Sequence, residues 1–426
     1  MKITTINPAW NKELLTKQQV HSIIHDIAEL NSWQRNALSG FLQQGFPDRK
    51  HEDWKYTNVN EIANRSFAMP EPRVRDIPPL EEIADSYRVI FVNGHFRRDL
   101  SEFPSEVILA DTATMLKEKQ WQAYLQFDQR YATVFSNLNA ALMTNGIFIY
   151  VPPKIVLTKP IHFVYYHSEP NQSMQHPCHL IIAGRESQLT LVEEYVGENA
   201  YFNNVVTFVH AEEGSVVQHY KLQMESDAAQ HIANTIVRQE KNSSVTSFVV
   251  SLGARLNREN LNFALNQEGA SCHLYGLYLP FGNQHVDHHT RVDHSVPNCF
   301  SQQIYKGIIG GKGHAVFNGK VIVHPNAQKT AAYQSNKNIL LSLTAEIDTK
   351  PELEIYADDV KCAHGATVGQ LDANALFYLQ SRGIEKKLAQ NILTKAFAEE
   401  ILTNVQTSTI AKYIHRKVEA RLLEVQ

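Results

Sequence analysis

The sequence has few cysteines, no large excess of positive or negative charge and no long apolar run. Its four cysteines (Cys178, Cys272, Cys299 and Cys362) contain no CxxC pair, which argues against a disulfide framework and favours a reducing compartment. The net charge of −4 leaves no basic footprint for nucleic acid or an anionic membrane. No run approaches the roughly 18 apolar residues of a membrane-spanning helix, and the first residues lack the apolar core of a signal peptide. We therefore expect a soluble, cytoplasmic protein.

A phosphate-binding loop of the GxxxxGK[ST] type is also missing. The nearest segment runs from Gly307 to His314, but Gly313 follows Lys312 where a magnesium-binding hydroxyl is needed. We interpret its glycines as a tight turn. The chain is not expected to hydrolyse ATP by itself.

Residues 1–146 are predicted to mix helices, a proline-rich linker and one hairpin. Apolar residues recur at helical spacing within 13–45. Trp54 and Tyr56 stand in a polar loop and are expected to anchor it, with a ligand platform as the alternative. The alternating segment Tyr87–Phe96 contains an Asn-Gly pair, a strong hairpin signal.

From residue 147 the apolar period changes to two and a repeat of 27 to 29 residues begins. Short strands open at Ser187, Ser215, Ser244, Ser271 and Asn298. A second series keeps step with them at Thr207, Thr235, Asn262, Thr290 and Lys320. A fixed period made only of strands and turns predicts a β-solenoid over 147–366. A β-sandwich, the main competitor, does not explain two strand series locked in phase.

Residues 367–426 are predicted to be helical. Asp372 is a plausible helix cap. The following apolar faces need a partner, which is either the chain's own helices or another protein. The candidate partner-facing residues of this region are Asp372, Leu376, Phe377, Leu379, Leu388, Ile392 and Phe397.

The densest group of potential metal ligands runs from His285 to His294. Such residues could bind zinc or non-haem iron. On a strand, however, His285, Asp287 and His289 share one face. His288 and His294 share the other, and we favour structural hydrogen bonding over a metalloenzyme. A polysaccharide-active β-helix enzyme is a second alternative, but no pair of carboxylates stands out for that chemistry.

Cys362 and His364 stand two residues apart where strand gives way to helix. The neighbouring Lys361 and the imidazole favour a thiolate, the form that binds metal or attacks sulfur. Two donors are at most half a site, so a metal or cluster would need ligands from another chain. A packed corner between two architectures is the competing interpretation.

Several motifs resemble the SufB/SufD family of the SUF iron–sulfur cluster assembly system. The longest runs from Leu353 to Asp372 and continues through Ala375–Ile384. Arg49–Thr57 resembles the family's N-terminal signature, and Asp287–His294 resembles part of its solenoid. The SufB branch carries a glutamate where this chain has Gly365, which points to the SufD branch.

The resemblance implies a right-handed β-helix flanked by helical regions, acting as a scaffold and not as an enzyme. It implies pairing with SufB through the β-helix and binding of the SufC ATPase by the C-terminal helices. Sulfur would come indirectly from SufS–SufE, and reduced FAD would act at the level of the complex, with no cofactor held tightly by this chain. Cys362 and His364 match positions of a transient Fe–S or iron site at the SufB interface. A homodimer of the isolated chain is left open.

Overall fold

The computed structural model describes residues 32–65, 67, 77–115, 117–125, 128, 130–143, 145–168 and 173–424. The helical pattern before residue 31 and part of the proline-rich linker lie outside these residues. The helices are α1 (Ser32–Gln44), α2 (Asn60–Asn64), α3 (Thr112–Met115), α4 (Lys119–Gln122), α5 (Val134–Leu142), α6 (Ala373–Ser381), α7 (Lys386–Leu402) and α8 (Ser408–Glu424). Single 3₁₀ turns cover Glu52–Trp54, Arg98–Leu100 and Ala123–Leu125.

The remainder of the described chain is dominated by strands. They are β1 (Tyr87–Val92), β2 (His95–Phe96), β3 (Ile108–Asp111), β4 (Ile147–Val151), β5 (Ile161–His167), β6 (Met174–Gln175), β7 (Cys178–Ala183), β8 (Gln188–Gly197), β9 (Phe202–Ala211), β10 (Val216–Glu225), β11 (Gln230–Gln239), β12 (Ser244–Ser251), β13 (Leu256–Leu265), β14 (Ser271–Tyr278), β15 (His285–His294), β16 (Phe300–Ile309), β17 (His314–Val323), β18 (Thr330–Leu340), β19 (Glu346–Ile355) and β20 (Val360–Gly369).

Successive long strands alternate between two sheets. The first sheet has the order β2-β1-β5-β8-β10-β12-β14-β16-β18-β20, and the second has the order β19-β17-β15-β13-β11-β9-β7-β4-β3. From β4 onward each neighbouring pair is parallel. Along the chain, a strand of the other sheet lies between two strands that pair in parallel. Such pairing is possible only if the chain winds in coils. The predicted β-solenoid is therefore confirmed.

Side chains that alternate along both sheets meet inside the solenoid. Leu189 and Leu191 of the first sheet belong to one buried cluster with Val205 and Val209 of the second. One coil could not bury these residues alone, so stacking of coils builds the core. Burying each such side chain stabilises the fold by roughly 1.5–3 kcal/mol.

The coils are similar in length but not constant. Ser271 pairs with Phe300, two residues beyond the predicted position 298. Thr235 pairs with Leu261, one residue before the predicted position 262. Hydrogen bonding and side-chain alternation fix the strand register, so the corners absorb the differences in length.

Within the glycine-rich segment 307–314, residues 310–313 form the corner between β16 and β17, in agreement with the predicted tight turn. Gly311 has a φ of +62°, a backbone conformation that favours glycine. A Cβ atom on Gly310 would lie 2.4 Å from the ring of Phe281. The glycines thus let this corner pack directly on the preceding one.

At the start of the solenoid, both sheets end in a short strand that pairs antiparallel with its neighbour. β1 joins the first sheet beside β5 and forms the predicted hairpin with β2, with Asn93 and Gly94 at φ of +51° and +79°. β3 pairs antiparallel with β4. The sheets thus include strands before residue 147 and continue to Gly369. The domain limits expected from the sequence, at residues 146 and 366, remain predictions.

The loop that carries Trp54 is held on the outside of the second sheet. Trp54 is buried, with its ring centroid 5.2 Å from that of Phe135. The guanidinium carbon of Arg258 lies 4.1 Å from the Trp54 ring centroid, within the range of a cation–π contact. The predicted anchoring role of Trp54 is confirmed.

Helices α7 and α8 cover the outer face of the first sheet. Apolar residues of both helices share one buried cluster with that sheet: Leu222, Val250, Leu277, Ile401, Ile414 and Val418. Asp372 caps α6 as predicted, since its Oδ1 accepts a hydrogen bond from the Asn374 amide at 2.8 Å. None of the helices in the described ranges has the length and hydropathy needed to cross a membrane.

Two polar contacts reinforce this docking. Lys306 Nζ of β16 donates hydrogen bonds to the Phe397 carbonyl oxygen at 3.0 Å and to Glu400 at 2.5 Å. The Tyr413 hydroxyl of α8 donates to the Glu194 carboxylate of β8 at 2.8 Å. Charge-assisted hydrogen bonds of this kind are stronger than neutral ones, so they fix where each helix sits on the sheet.

Candidate functional site at the open end of the solenoid

Cys362 and His364 lie on β20, the last strand of the first sheet. β20 pairs with β18 on one side, and no described strand pairs with its other edge. β19 holds the same terminal position in the second sheet. We call β19 and β20 together, residues 346–369, the open end. Its edges offer unpaired backbone N–H and C=O groups to another chain.

Cys362 and His364 share one face of β20. They pair with Ala332 and Gln334 of β18, whose side chains are buried, so both continue the rows that face the solenoid interior. Lys361 takes the opposite face because side chains alternate along a strand. Cys362 is half-buried and His364 is exposed. The open end therefore presents a thiol and an imidazole together where the interior meets solvent.

The expected thiolate character of Cys362 is wrong for the isolated chain. Burial raises the pKa of its thiol, and a backbone hydrogen bond from Ala332 opposes that shift only in part. Lys361 lies on the other face of the strand and does not offset the burial. The sequence suggested that the Lys361 cation lies near the thiol, because the two residues are adjacent along the chain. It does not show directly that their side chains point to opposite faces of the strand.

A row of polar side chains inside the solenoid leads to His364. Thr290 Oγ1 donates a hydrogen bond to Gln303 Oε1 at 2.6 Å, and Gln334 Nε2 donates to the same oxygen at 3.3 Å. Gln303, Gln334 and His364 occupy one row on consecutive strands. Among the described residues, Gln334 Oε1 is buried without a hydrogen-bond partner.

The inward histidines of β15 are packing residues in this structure. Ser251 Oγ lies 2.9 Å from His288 Nε2, and Ser301 Oγ lies 2.8 Å from His294 Nε2. Burial lowers the pKa of each histidine to about 4, so both rings are neutral at pH 7. Over the described ranges, no group of three or more His, Cys, Asp or Glu residues is arranged to hold a metal ion.

On the outer face of β15, Asp287 is buried beneath the N-terminal loop. Arg258 Nη1 donates a hydrogen bond to Asp287 Oδ2 at 2.7 Å, and the Thr57 hydroxyl donates to the same oxygen. Although burial alone would raise the pKa of Asp287, Arg258 and His289 hold it well below its ordinary value. Arg258 could not be identified from the sequence because these partners meet only after the chain has wound through a full coil.

A buried network of charged side chains inside the solenoid was also missed. Lys221 Nζ donates a hydrogen bond to Glu259 Oε2 at 2.9 Å. His231 places Nδ1 2.7 Å from Glu225 Oε2 and Nε2 3.5 Å from Glu259 Oε1. Burial opposes ionisation of Glu225, yet His231 lowers its pKa to about 2. One sequence signal could have revealed this network: β10, β11 and β13 each carry a charged or ionisable residue at an inward-facing position.

Among the predicted partner-facing residues, Asp372 is exposed, and the apolar ones fall into two groups. Phe377, Leu388 and Ile392 are 72%, 54% and 40% exposed. The half-buried group is Leu376, Leu379 and Phe397. Exposed large apolar side chains of this kind mark interaction surfaces when they are contiguous.

Two family models match the chain. The SufBD core domain of the SUF system for FeS cluster assembly matches residues 165–397, more than half of the sequence. The SufBD protein N-terminal region matches residues 12–163. Together the two models span both the solenoid and the region that precedes it.

Curated relatives agree with these models over nearly the full length. An iron–sulfur cluster assembly SufBD family protein of Synechocystis is 33% identical, covering 97% of this chain and 96% of its own. The iron–sulfur cluster assembly protein SufD of Escherichia coli is 32% identical, covering 90% and 91%. The SufD protein of Bacillus subtilis is 24% identical, covering 92% and 94%.

Proposed function

Since the chain belongs to the SufBD family of SUF-system iron–sulfur cluster assembly proteins, we propose that it is a cytoplasmic, non-catalytic scaffold subunit of the SufD type. The observation that carries the proposal is the position of Cys362 and His364 on one face of an unpaired edge strand. Family membership supports a role in iron–sulfur cluster assembly over the polysaccharide-active enzyme considered from the sequence.

The open end would pair with SufB. β19 and β20 are each ten residues long, and each has one edge without a described partner strand. A second solenoid could extend both sheets by adding strands at these edges, with backbone hydrogen bonds supplying affinity. That arrangement would enclose Cys362 and His364 between the two subunits.

The nascent cluster would be the cargo of the complex and not a resident cofactor of this chain. Cys362 and His364 would supply part of its ligand set, and SufB would supply the rest, because Fe–S clusters need about four protein ligands. The raised pKa of Cys362 means that binding must displace a proton from the thiol. Cluster formation on the complex should therefore become more favourable as pH rises toward the pKa of this thiol.

The SufC ATPase would bind the exposed apolar residues of α6 and α7. Phe377 and Leu388 are the most exposed of the predicted contacts. ATP hydrolysis would come from that partner. Sulfur from SufS–SufE and reduced FAD enter the proposal at the level of the complex, and we assign neither of them to a residue of this chain.

Co-purification and cluster reconstitution test the proposal. The wild-type chain should co-purify with SufB and SufC, whereas a chain that remains alone in their presence would contradict it. Cys362→Ala and His364→Ala should leave the complex assembled but reduce the bound iron and sulfide. Lys361→Ala, on the opposite face of the same strand, is the matched control and should retain the cluster.

The ATPase contact can be separated from the solenoid contact. Phe377→Asp and Leu388→Asp should abolish co-purification with SufC while preserving binding to SufB. Leu423→Asp is the control, because Leu423 is a 68% exposed leucine of α8. Equal loss of SufC with all three variants would argue against a specific contact through α6 and α7.

A further inference from the structure

A groove of about 530 Å³ lies between the solenoid corners and the helices α6 and α7. Its floor includes Phe281, Gly311 and Leu341, which follow β14, β16 and β18. Leu376 of α6 and Gln390 of α7 belong to its wall. The volume is large enough for several side chains of another molecule.

The floor of the groove is held by hydrogen bonds between stacked corners. The Leu341 amide donates to the Ile309 carbonyl oxygen at 2.8 Å. Ser342 Oγ donates to the Gly311 carbonyl oxygen at 2.6 Å, and Thr344 Oγ1 donates to the same oxygen at 2.5 Å. With its corners tied together in this way, the groove is formed before any ligand arrives, and binding need not include the cost of ordering it.

The ionised side chains that line the groove have one sign. Lys386 and Lys387 belong to its lining, which contains no Asp or Glu. Neither lysine is within ion-pair distance of a carboxylate in the described part of the chain. The groove therefore suits an occupant that brings its own carboxylates beside an apolar side chain.

Two of the corners at the groove adjoin the open end. Leu343, 96% exposed, lies on the corner that leads into β19. Gln370 and Leu371, which also line the groove, directly follow β20. A molecule that covers the edges of β19 and β20 would therefore lie beside the groove as well.

We propose that this groove receives a segment of the SufB-type partner at the open end, and that the segment carries a large apolar side chain flanked by carboxylates. The inference rests on the proposed function, because it names a second contact of the same partner. Phe281, Leu341 and Leu376 supply the apolar surface, and the two lysines select an acidic segment. Opposite charges of this kind contribute to specificity and association rate.

Leu376, one of the predicted partner-facing residues, lines the groove, but the exposed apolar residues assigned to the ATPase do not. On α7, Lys386, Gln390 and Thr394 recur at intervals of four and line the groove. Leu388 and Ile392 recur at the same interval on another side of the helix. Substitutions in the groove should therefore spare SufC.

Binding of full-length variants to full-length SufB tests the inference. Lys386→Glu with Lys387→Glu should weaken the Kd about tenfold at about 50 mM salt, since two exposed attractions become repulsions. The loss should shrink at about 500 mM salt because screening weakens exposed charges. Gln390→Trp should fill the groove and weaken the Kd at both salt concentrations. Lys412→Glu, on α8 and outside the groove lining, should bind like the wild type.

The outcomes separate this inference from the function on which it rests. Wild-type affinity in both groove variants would overturn the groove contact and leave the scaffold proposal standing. Loss of SufC in place of SufB would assign the groove to the ATPase and also overturn it. Failure of the unmodified chain to bind SufB would remove the proposed function, and the groove contact with it.

Discussion

Removing Lys221 or Glu259 alone is expected to destabilise the chain more than removing both. Lys221 Nζ donates to Glu259 Oε2 at 2.9 Å, and both residues are buried inside the solenoid. Breaking a buried pair by deleting one partner costs about 3–5 kcal/mol, since the remaining charge stays desolvated. Replacing both partners by apolar residues of similar volume is often close to neutral.

The neighbours of the pair refine these magnitudes. In Lys221→Met the Glu259 carboxylate keeps His231 at 3.5 Å, so we expect a loss of about 3 kcal/mol, the lower limit of that range. Lys221→Met with Glu259→Met removes both charges and should lose less than either single variant. His231 retains its contact with Glu225 at 2.7 Å in the double variant.

Chemical denaturation followed by far-UV circular dichroism can measure this difference. The double-mutant cycle compares the free energy of unfolding of the wild type, both single variants and the double variant. Lys361→Met, which removes an exposed lysine of β20, is the control and should change little. A double variant whose loss equals the sum of the two single losses would refute the coupling.

Three further predictions concern pH, packing and helix docking. Glu225 has a folded pKa of about 2 against an ordinary value of 4.5, and His288 about 4 against 6.5. Each group stabilises the fold at pH values above its ordinary pKa, and this contribution is lost as the pH falls to the folded pKa. The thermal unfolding midpoint should therefore decrease once the pH drops below 6.5 and should continue to decrease toward pH 2. An unchanged midpoint would contradict this prediction. Gly276→Ala places a Cβ atom 2.1 Å from a tyrosine ring and should cost about 1–3 kcal/mol. In the control Gly365→Ala, the added Cβ atom has no other atom within 4 Å, so this substitution should be tolerated. Equal unfolding midpoints for Gly276→Ala and Gly365→Ala would refute the packing argument. Tyr413→Phe removes the hydrogen bond to Glu194 and should speed amide hydrogen exchange in α8; unchanged exchange would exclude the contact as a clamp.

Features that follow from local rules could be predicted from the sequence. The solenoid followed from alternation and a repeated period, and the hairpin followed from Asn93 and Gly94. Trp54 was assigned to packing because a large amphipathic ring in a polar loop suits a half-buried anchor. Each of these signals can be found from the residue types and their spacing along the chain, so no knowledge of distant contacts was needed.

Features that depend on the stacking of coils could not be predicted. Corner lengths vary freely, so the pairing of Ser271 with Phe300 was misplaced by two residues. Arg258 reaches Asp287 only after one complete coil. The protonation of Cys362 was misjudged for the same reason, since its burial comes from neighbouring strands and not from adjacent residues.

The contrast between the two ends of the solenoid limits the size of any assembly that it forms. β2 and β3, at the start, contain two and four residues, whereas β19 and β20 expose ten residues each. Of these terminal strands in the described chain, only β19 and β20 are long enough to nucleate further strand addition. A partner built with the same polarity would use its own long edges in that contact and leave only short edges outside. Growth would then stop at two solenoids, because the contact closes on itself and does not propagate as a filament.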